Sequence, residues 1–175
     1  MDALNSPLLR GSAVPLAGEE IPIIGAEVRS LVTMALSRGA TSVTIGSGRD
    51  LITRASARTI ADAWSTSGHG VAVTIDWPET AASWLRPANR FAAASTDLWI
   101  MLGPPLGWAQ MTRRLLWSTP WKPSRTLLTG GVSDPRALEL VGLHNLTGIA
   151  GTTRAGSAWH LSADNRIITT PESGS

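Results

Sequence analysis

The feature that most constrains this chain is its rhythm, in which short β-branched or apolar runs alternate with longer stretches of helical periodicity. Residues 42–45, 71–75, 98–102 and 126–128 read as strands, and the unbroken apolar run at 98–102 fits a strand buried on both faces. Residues 25–38 form a helix with one apolar stripe, made by Val28, Leu31, Val32, Ala35 and Leu36. A second helix runs over 51–64 and a third over 80–94, bent at Pro87. A fourth ends near Trp117, and a fifth opens at Asp134-Pro135, where proline suits the first helical position. Residues 149–153 and 159–161 supply closing strands. Strands that alternate with helices of this length need right-handed crossovers. The pattern therefore predicts a single three-layer α/β domain with a mostly parallel sheet, flavodoxin-like in outline.

A chain of 175 residues suits one such domain. Residues 1–22 mix Pro, Gly, Ser and acidic side chains without periodicity and read as an extended N-terminal arm. The α/β domain is expected over 23–165, and 166–175 reads as a flexible tail. Charge argues against nucleic acid as a partner. The pI near 10.4 reflects a net charge of only +2 in a chain without Tyr or Cys. The arginines are scattered, Arg113–Arg114 being the only adjacent pair, whereas a nucleic-acid face needs a clustered basic stripe. The absence of cysteine excludes disulfides, thiolate metal sites and cysteine nucleophiles. No signal-like N-terminus and no apolar run of about 18 residues is present, so the expected location is cytoplasmic, with no membrane partner.

In parallel sheets ligands bind beyond the carboxyl ends of the strands. The loops there are 46–50, 76–78, 103–108 and 129–134, and they supply the candidate ligand-binding residues. These are Ser47, Gly48, Asp50, Asp76, Trp77, Gly103, Trp108, Gly130 and Gly131. Glycine lets backbone amides approach a ligand, and a helix start favours negative charge, but tight turns need glycine without any ligand. Gly46-Ser47-Gly48 followed by Asp76 has the outline of a dinucleotide site, yet Leu51 stands where the third glycine belongs. Asp50 is also a good helix cap and would oppose a phosphate. Catalytic signals are thin. His69, His144 and His160 fit no metal spacing, and neither a Gly-x-Ser-x-Gly elbow nor a phosphate-binding Gly-Lys-Ser/Thr loop occurs. No catalytic residue, metal or cofactor is assigned. Eight tryptophans accompany one phenylalanine. Trp64, Trp99 and Trp117 read as packing residues, while Trp77 and Trp108 lie where an exposed indole could stack on a ligand or anchor an interface.

From Val28 to Trp159 the order of features resembles one lobe of the type I periplasmic solute-binding proteins, the receptors of branched-chain amino acid and amide transporters. The resemblance rests on a small residue and Asp in the loop after the first strand (42–50) and on Trp64-x-x-x-Gly68 followed by Gly70-x-x-Val73. It rests further on the segment from Asp97 to Gly103, the strand ending in Thr129-Gly130-Gly131, and Leu146-Thr147-Gly148-Ile149. It implies a lobe of a two-lobed, exported receptor, with Ser47, Asp50, Trp77 and Trp108 nearest the ligand edge. The chain is long enough for one lobe, so an uncovered apolar edge and a homodimer or protein partner are expected. The leading functional reading is a non-catalytic domain that binds a small molecule or a partner. The alternatives are an enzyme taking a nucleotide or phosphorylated substrate at 46–50, and a structural interaction protein.

Overall fold

The computed structural model describes residues 21–170. Its elements are α1 (Gly25–Ser37), β1 (Ser42–Gly48), α2 (Leu51–Thr66), β2 (Gly70–Trp77), α3 (Leu85–Ala93), β3 (Leu98–Leu102) and α4 (Pro105–Ser118). They continue with β4 (Thr126–Leu128), α5 (Pro135–Val141), β5 (Ala150–Thr152), β6 (Ala158–Leu161) and β7 (Ile167–Thr169). The strands make one sheet in the order β2-β1-β3-β4-β5-β6-β7. Pairing is parallel from β2 through β5 and antiparallel for β6 and β7. The single α/β domain and its mostly parallel sheet are as the alternation predicts.

Strand β3 lies at the centre of both cores. Leu98, Ile100 and Leu102 point to one face, where Val28, Leu31 and Ala35 of α1 and Ile60 and Trp64 of α2 cover them. Trp99 and Met101 point to the other, packed with Phe91 of α3, Trp108 and Met111 of α4 and Leu138 of α5. At the amino edge Asp97 ties β3 to β1. Its Oδ2 accepts hydrogen bonds from the Thr41 amide (2.9 Å) and hydroxyl (2.8 Å) and from the Ser42 amide (3.0 Å) and hydroxyl (3.2 Å). These donors, the Thr41 amide foremost, hold its carboxyl at about 2.

Four boundaries differ from the sequence reading. Strand β1 continues through Gly46 and Ser47 to Gly48, so most of the expected 46–50 loop is sheet. Gly46 is there because two rings cover it: an added Cβ would lie 2.5 Å from Trp77 Cζ3 and 2.6 Å from Phe91 Cε2. Strand β2 likewise runs on to Trp77. Helix α3 starts at Leu85 rather than near residue 80, which puts Pro87 in the first turn, where its missing N–H costs no hydrogen bond. Ile167–Thr169 pairs with β6 instead of belonging to a tail; residues 1–20 of the expected arm (1–22) and the end of the tail, 171–175, lie outside the described residues. Among the described residues no helix is long and apolar enough to cross a membrane.

The rings over Gly46 make its substitution a direct test of this packing. Gly46→Ala is expected to destabilise the domain by about 1–3 kcal/mol through overpacking, seen as a lower midpoint in urea unfolding. A midpoint equal to wild type would show that Trp77 and Phe91 do not close over this strand.

Candidate functional site

Helix starts and strand ends meet at the carboxyl edge of the sheet. Asp50 caps α2, its Oδ1 accepting from the Thr53 amide at 2.7 Å. Helix α4 has no capping side chain of its own, and Glu79 serves instead, its Oε2 accepting from the Gly107 amide at 3.1 Å. Gly48 and Gly103 let two loops touch. A Cβ on Gly103, whose φ is +137°, would lie 2.9 Å from the Gly48 amide nitrogen, and one on Gly48 would lie 2.9 Å from Pro104 Cδ.

The cleft at this edge lies between α1, α2 and the ends of β3, β4 and β5; its cavity volume is about 20 Å³, and it opens to solvent. It is lined by Leu102 and Gly103 at the end of β3, by Thr129 and Gly131, by Thr53 and Ser56 of α2, and by Ile21 and Ile23. The Ile23 amide donates to Ser56 Oγ at 3.2 Å, which fixes Ile23 to α2. Two charged side chains enter the same cleft, Glu27 and Arg154. Glu27 is buried, on the same stripe of α1 as Leu31. Its Oε1 accepts from the Gly130 amide at 2.5 Å and from the Thr152 hydroxyl at 3.2 Å. Burial pushes its carboxyl above the ordinary glutamate value, and the Gly130 amide, the Thr152 hydroxyl and the Arg154 charge offset part of the rise.

The nine residues singled out from the sequence divide among several places. Gly103 and Gly131 line the cleft, and Gly130 supplies an amide to Glu27. Gly48 and Asp50 hold the neighbouring loops in shape. Ser47 and Asp76 line a separate groove on the outer flank of α2, where Asp76 Oδ1 pairs with Arg49 Nε at 2.8 Å. Trp77 and Trp108 are fully buried in the core of the α3–α5 layer. The expected exposure of these two indoles is therefore corrected: Trp77 covers Gly46 from within the sheet and Trp108 sits on the inner face of α4, so neither can stack on a ligand or form an apolar patch. Trp117, taken as a packing residue, is instead 52 % exposed. Glu27 and Arg154 were missed. The available signal for Glu27 was its place four residues before Leu31, which puts an acid on the buried stripe of α1.

The sequence matches no family model and no curated protein. Solved structures do match in fold. They include a branched-chain amino acid ABC transporter periplasmic ligand-binding protein from Burkholderia xenovorans (11 % identity, TM-score 0.59, covering 73 % of this chain and 34 % of that one). A leucine-binding protein from Thermotoga maritima matches at 14 % identity and a TM-score of 0.61, over 73 % of this chain and 36 % of that one. A substrate-binding periplasmic protein from Ralstonia solanacearum matches at 13 % identity and a TM-score of 0.58, over 85 % and 39 %. This chain thus spans little more than a third of the length of the structures it matches. The expectation of a cytoplasmic location is overturned by these matches, which are periplasmic ligand-binding proteins.

Burial of Trp108 makes its replacement a stability test. Trp108→Ala is expected to cost about 3–5 kcal/mol in chemical unfolding, with no change in the size of the folded species by light scattering. A variant as stable as wild type but altered in association would show that the indole faces a partner. In architecture the domain is similar to about a third of a periplasmic ligand-binding protein, as one lobe would be.

Proposed function

We propose that this domain is a non-catalytic binding lobe whose cleft takes a small zwitterion of the amino-acid type with an aliphatic side chain. The observation that carries the reading is the pair of opposite charges in one cleft. Glu27 and Arg154 both line it, yet among the described residues they form no ion pair with each other. A zwitterion satisfies both at once, its ammonium against the Glu27 carboxylate and its carboxylate against the Arg154 guanidinium. The Thr53, Ser56 and Thr129 side chains and the glycine backbones supply neutral polar contacts, and Ile21, Ile23 and Leu102 offer an apolar surface to the side chain. The names of two proteins with this fold, for branched-chain amino acids and for leucine, agree with that chemistry.

A buried carboxyl that burial raises is also one that a bound cation restores to the charged form. As pH falls through the raised Glu27 value, protonation removes the attraction for an ammonium group, so affinity declines on acidification before ordinary glutamates titrate. For the free protein the sign is opposite. The charged form is disfavoured in the folded state, so Glu27 costs stability as pH rises through its raised value.

Calorimetric titration of the full chain with leucine, isoleucine and valine tests the reading, with isoamylamine and 4-methylvalerate as analogues that lack one charge each. The amino acids are expected to saturate the protein and each analogue to bind at least about tenfold more weakly, the equivalent of one lost charge-assisted contact. Glu27→Gln keeps the acceptor for Gly130 and Thr152 and removes the buried charge, so it is expected to melt no lower than wild type at neutral pH while losing the amino acid. Equal binding by Glu27→Gln, or no binding of any amino acid by wild type, would refute the proposal.

A further inference from the structure

We propose that the groove between α2 and the outer strand β2 is a second binding site, for a phosphate-type oxyanion held by Arg54, Arg58 and the Ser47 hydroxyl. The groove has a cavity volume of about 240 Å³ and lies on the flank of α2 away from the Glu27 cleft. Its floor is set by strand register: Ser47 pairs with Asp76 and Ile45 with Thr74, so Ser47, Asp76 and Thr74 lie side by side. Its wall is one stripe of α2, on which Ala57 and Ala61 leave room beneath Arg54 and Arg58, one helical turn apart.

Two independent observations point to an anion. Among the described residues, neither Arg54 nor Arg58 has an ion pair, although both line the groove. Ser47 is 1 % exposed, and its hydroxyl makes no hydrogen bond among the described residues. The residue lines the groove, on the face of β1 that Ile45 presents to the α1–α2 layer. Charge balance favours phosphate over a monocarboxylate. Arg54 and Arg58 stand against the single carboxylate that lines the groove, Asp76, one oxygen of which is already engaged by Arg49. Two guanidiniums from the helix and one hydroxyl from the sheet approach from different directions, which suits a tetrahedral dianion. The remaining Asp76 oxygen is an acceptor for a hydroxyl on the same ligand.

The test is calorimetric titration of the full chain with inorganic phosphate and with glycerol 3-phosphate at low ionic strength, with amide shifts mapped by NMR. Saturable binding that moves the amides of Ser47, Ala57 and Thr74 is expected, and Arg54→Ala/Arg58→Ala should weaken it at least about tenfold. Ser47→Ala should weaken it less, while leucine binding at the other cleft is unchanged in all variants. Arg86→Ala/Arg90→Ala serves as the control, an exposed pair with the same spacing on α3. Tighter binding of glycerol 3-phosphate assigns the site to phosphomonoesters, and equal affinity assigns it to free phosphate; either upholds it. Absence of saturation by both ligands in the millimolar range, or an equal loss in the Arg86/Arg90 control, overturns the site whatever the amino-acid titration shows.

Discussion

Burial of β3 on both faces is the constraint from which the rest of this structure follows. Five consecutive apolar residues cannot be satisfied by a sheet that packs on one side only. Leu98, Ile100 and Leu102 need the α1–α2 layer while Trp99 and Met101 need the α3–α5 layer, and three layers result. Parallel neighbours on both sides, β1 and β4, then bring strand ends and helix starts to the same edge. The Asp97 carboxylate fixes the register from the opposite end by gathering the amides and hydroxyls of Thr41 and Ser42. The cleft is the gap that remains where α1 and α2 reach past the ends of β3, β4 and β5.

Much of this was legible in the sequence because the signals were local. The order of elements followed from periodicity, and the caps at Asp50 and Asp134 from residue type; both carboxylates accept from amides of the helices they begin. What was not legible depended on distant partners. Gly46 reads as a loop residue until Trp77 and Phe91 are placed above it. Trp77 and Trp108 stand beside glycine- and proline-rich loops, and proximity in sequence to a loop suggested exposure; the inner face of the α3–α5 layer takes them in. Ile167–Thr169 is too short and too exposed to show a strand pattern, and only pairing with β6 makes it one.

The site divides in the same way. Gly103 and Gly131 were found because ligand edges of parallel sheets are predictable positions. Glu27 and Arg154 were not, since one sits in the first turn of a helix before the first strand and the other follows β5, more than a hundred residues later. Only the fold brings them to one cleft. Helix α2 contributes to both recesses, Thr53 and Ser56 to the cleft and Arg54 and Arg58 to the groove. A single helix thus presents neutral hydroxyls on one flank and guanidiniums on the other.

The placement of the tryptophans has an optical consequence. Seven of the eight indoles are buried, at 4 % exposure or less, and Trp117 alone among them meets solvent. With no tyrosine and one phenylalanine, ultraviolet absorption and emission belong almost wholly to indole. Native emission is therefore weighted to the blue, a soluble quencher reaches essentially one fluorophore, and loss of the fold moves the remaining seven into water together. The chain carries its own spectroscopic gauge of folding, with Trp117 as a built-in reference for the solvent.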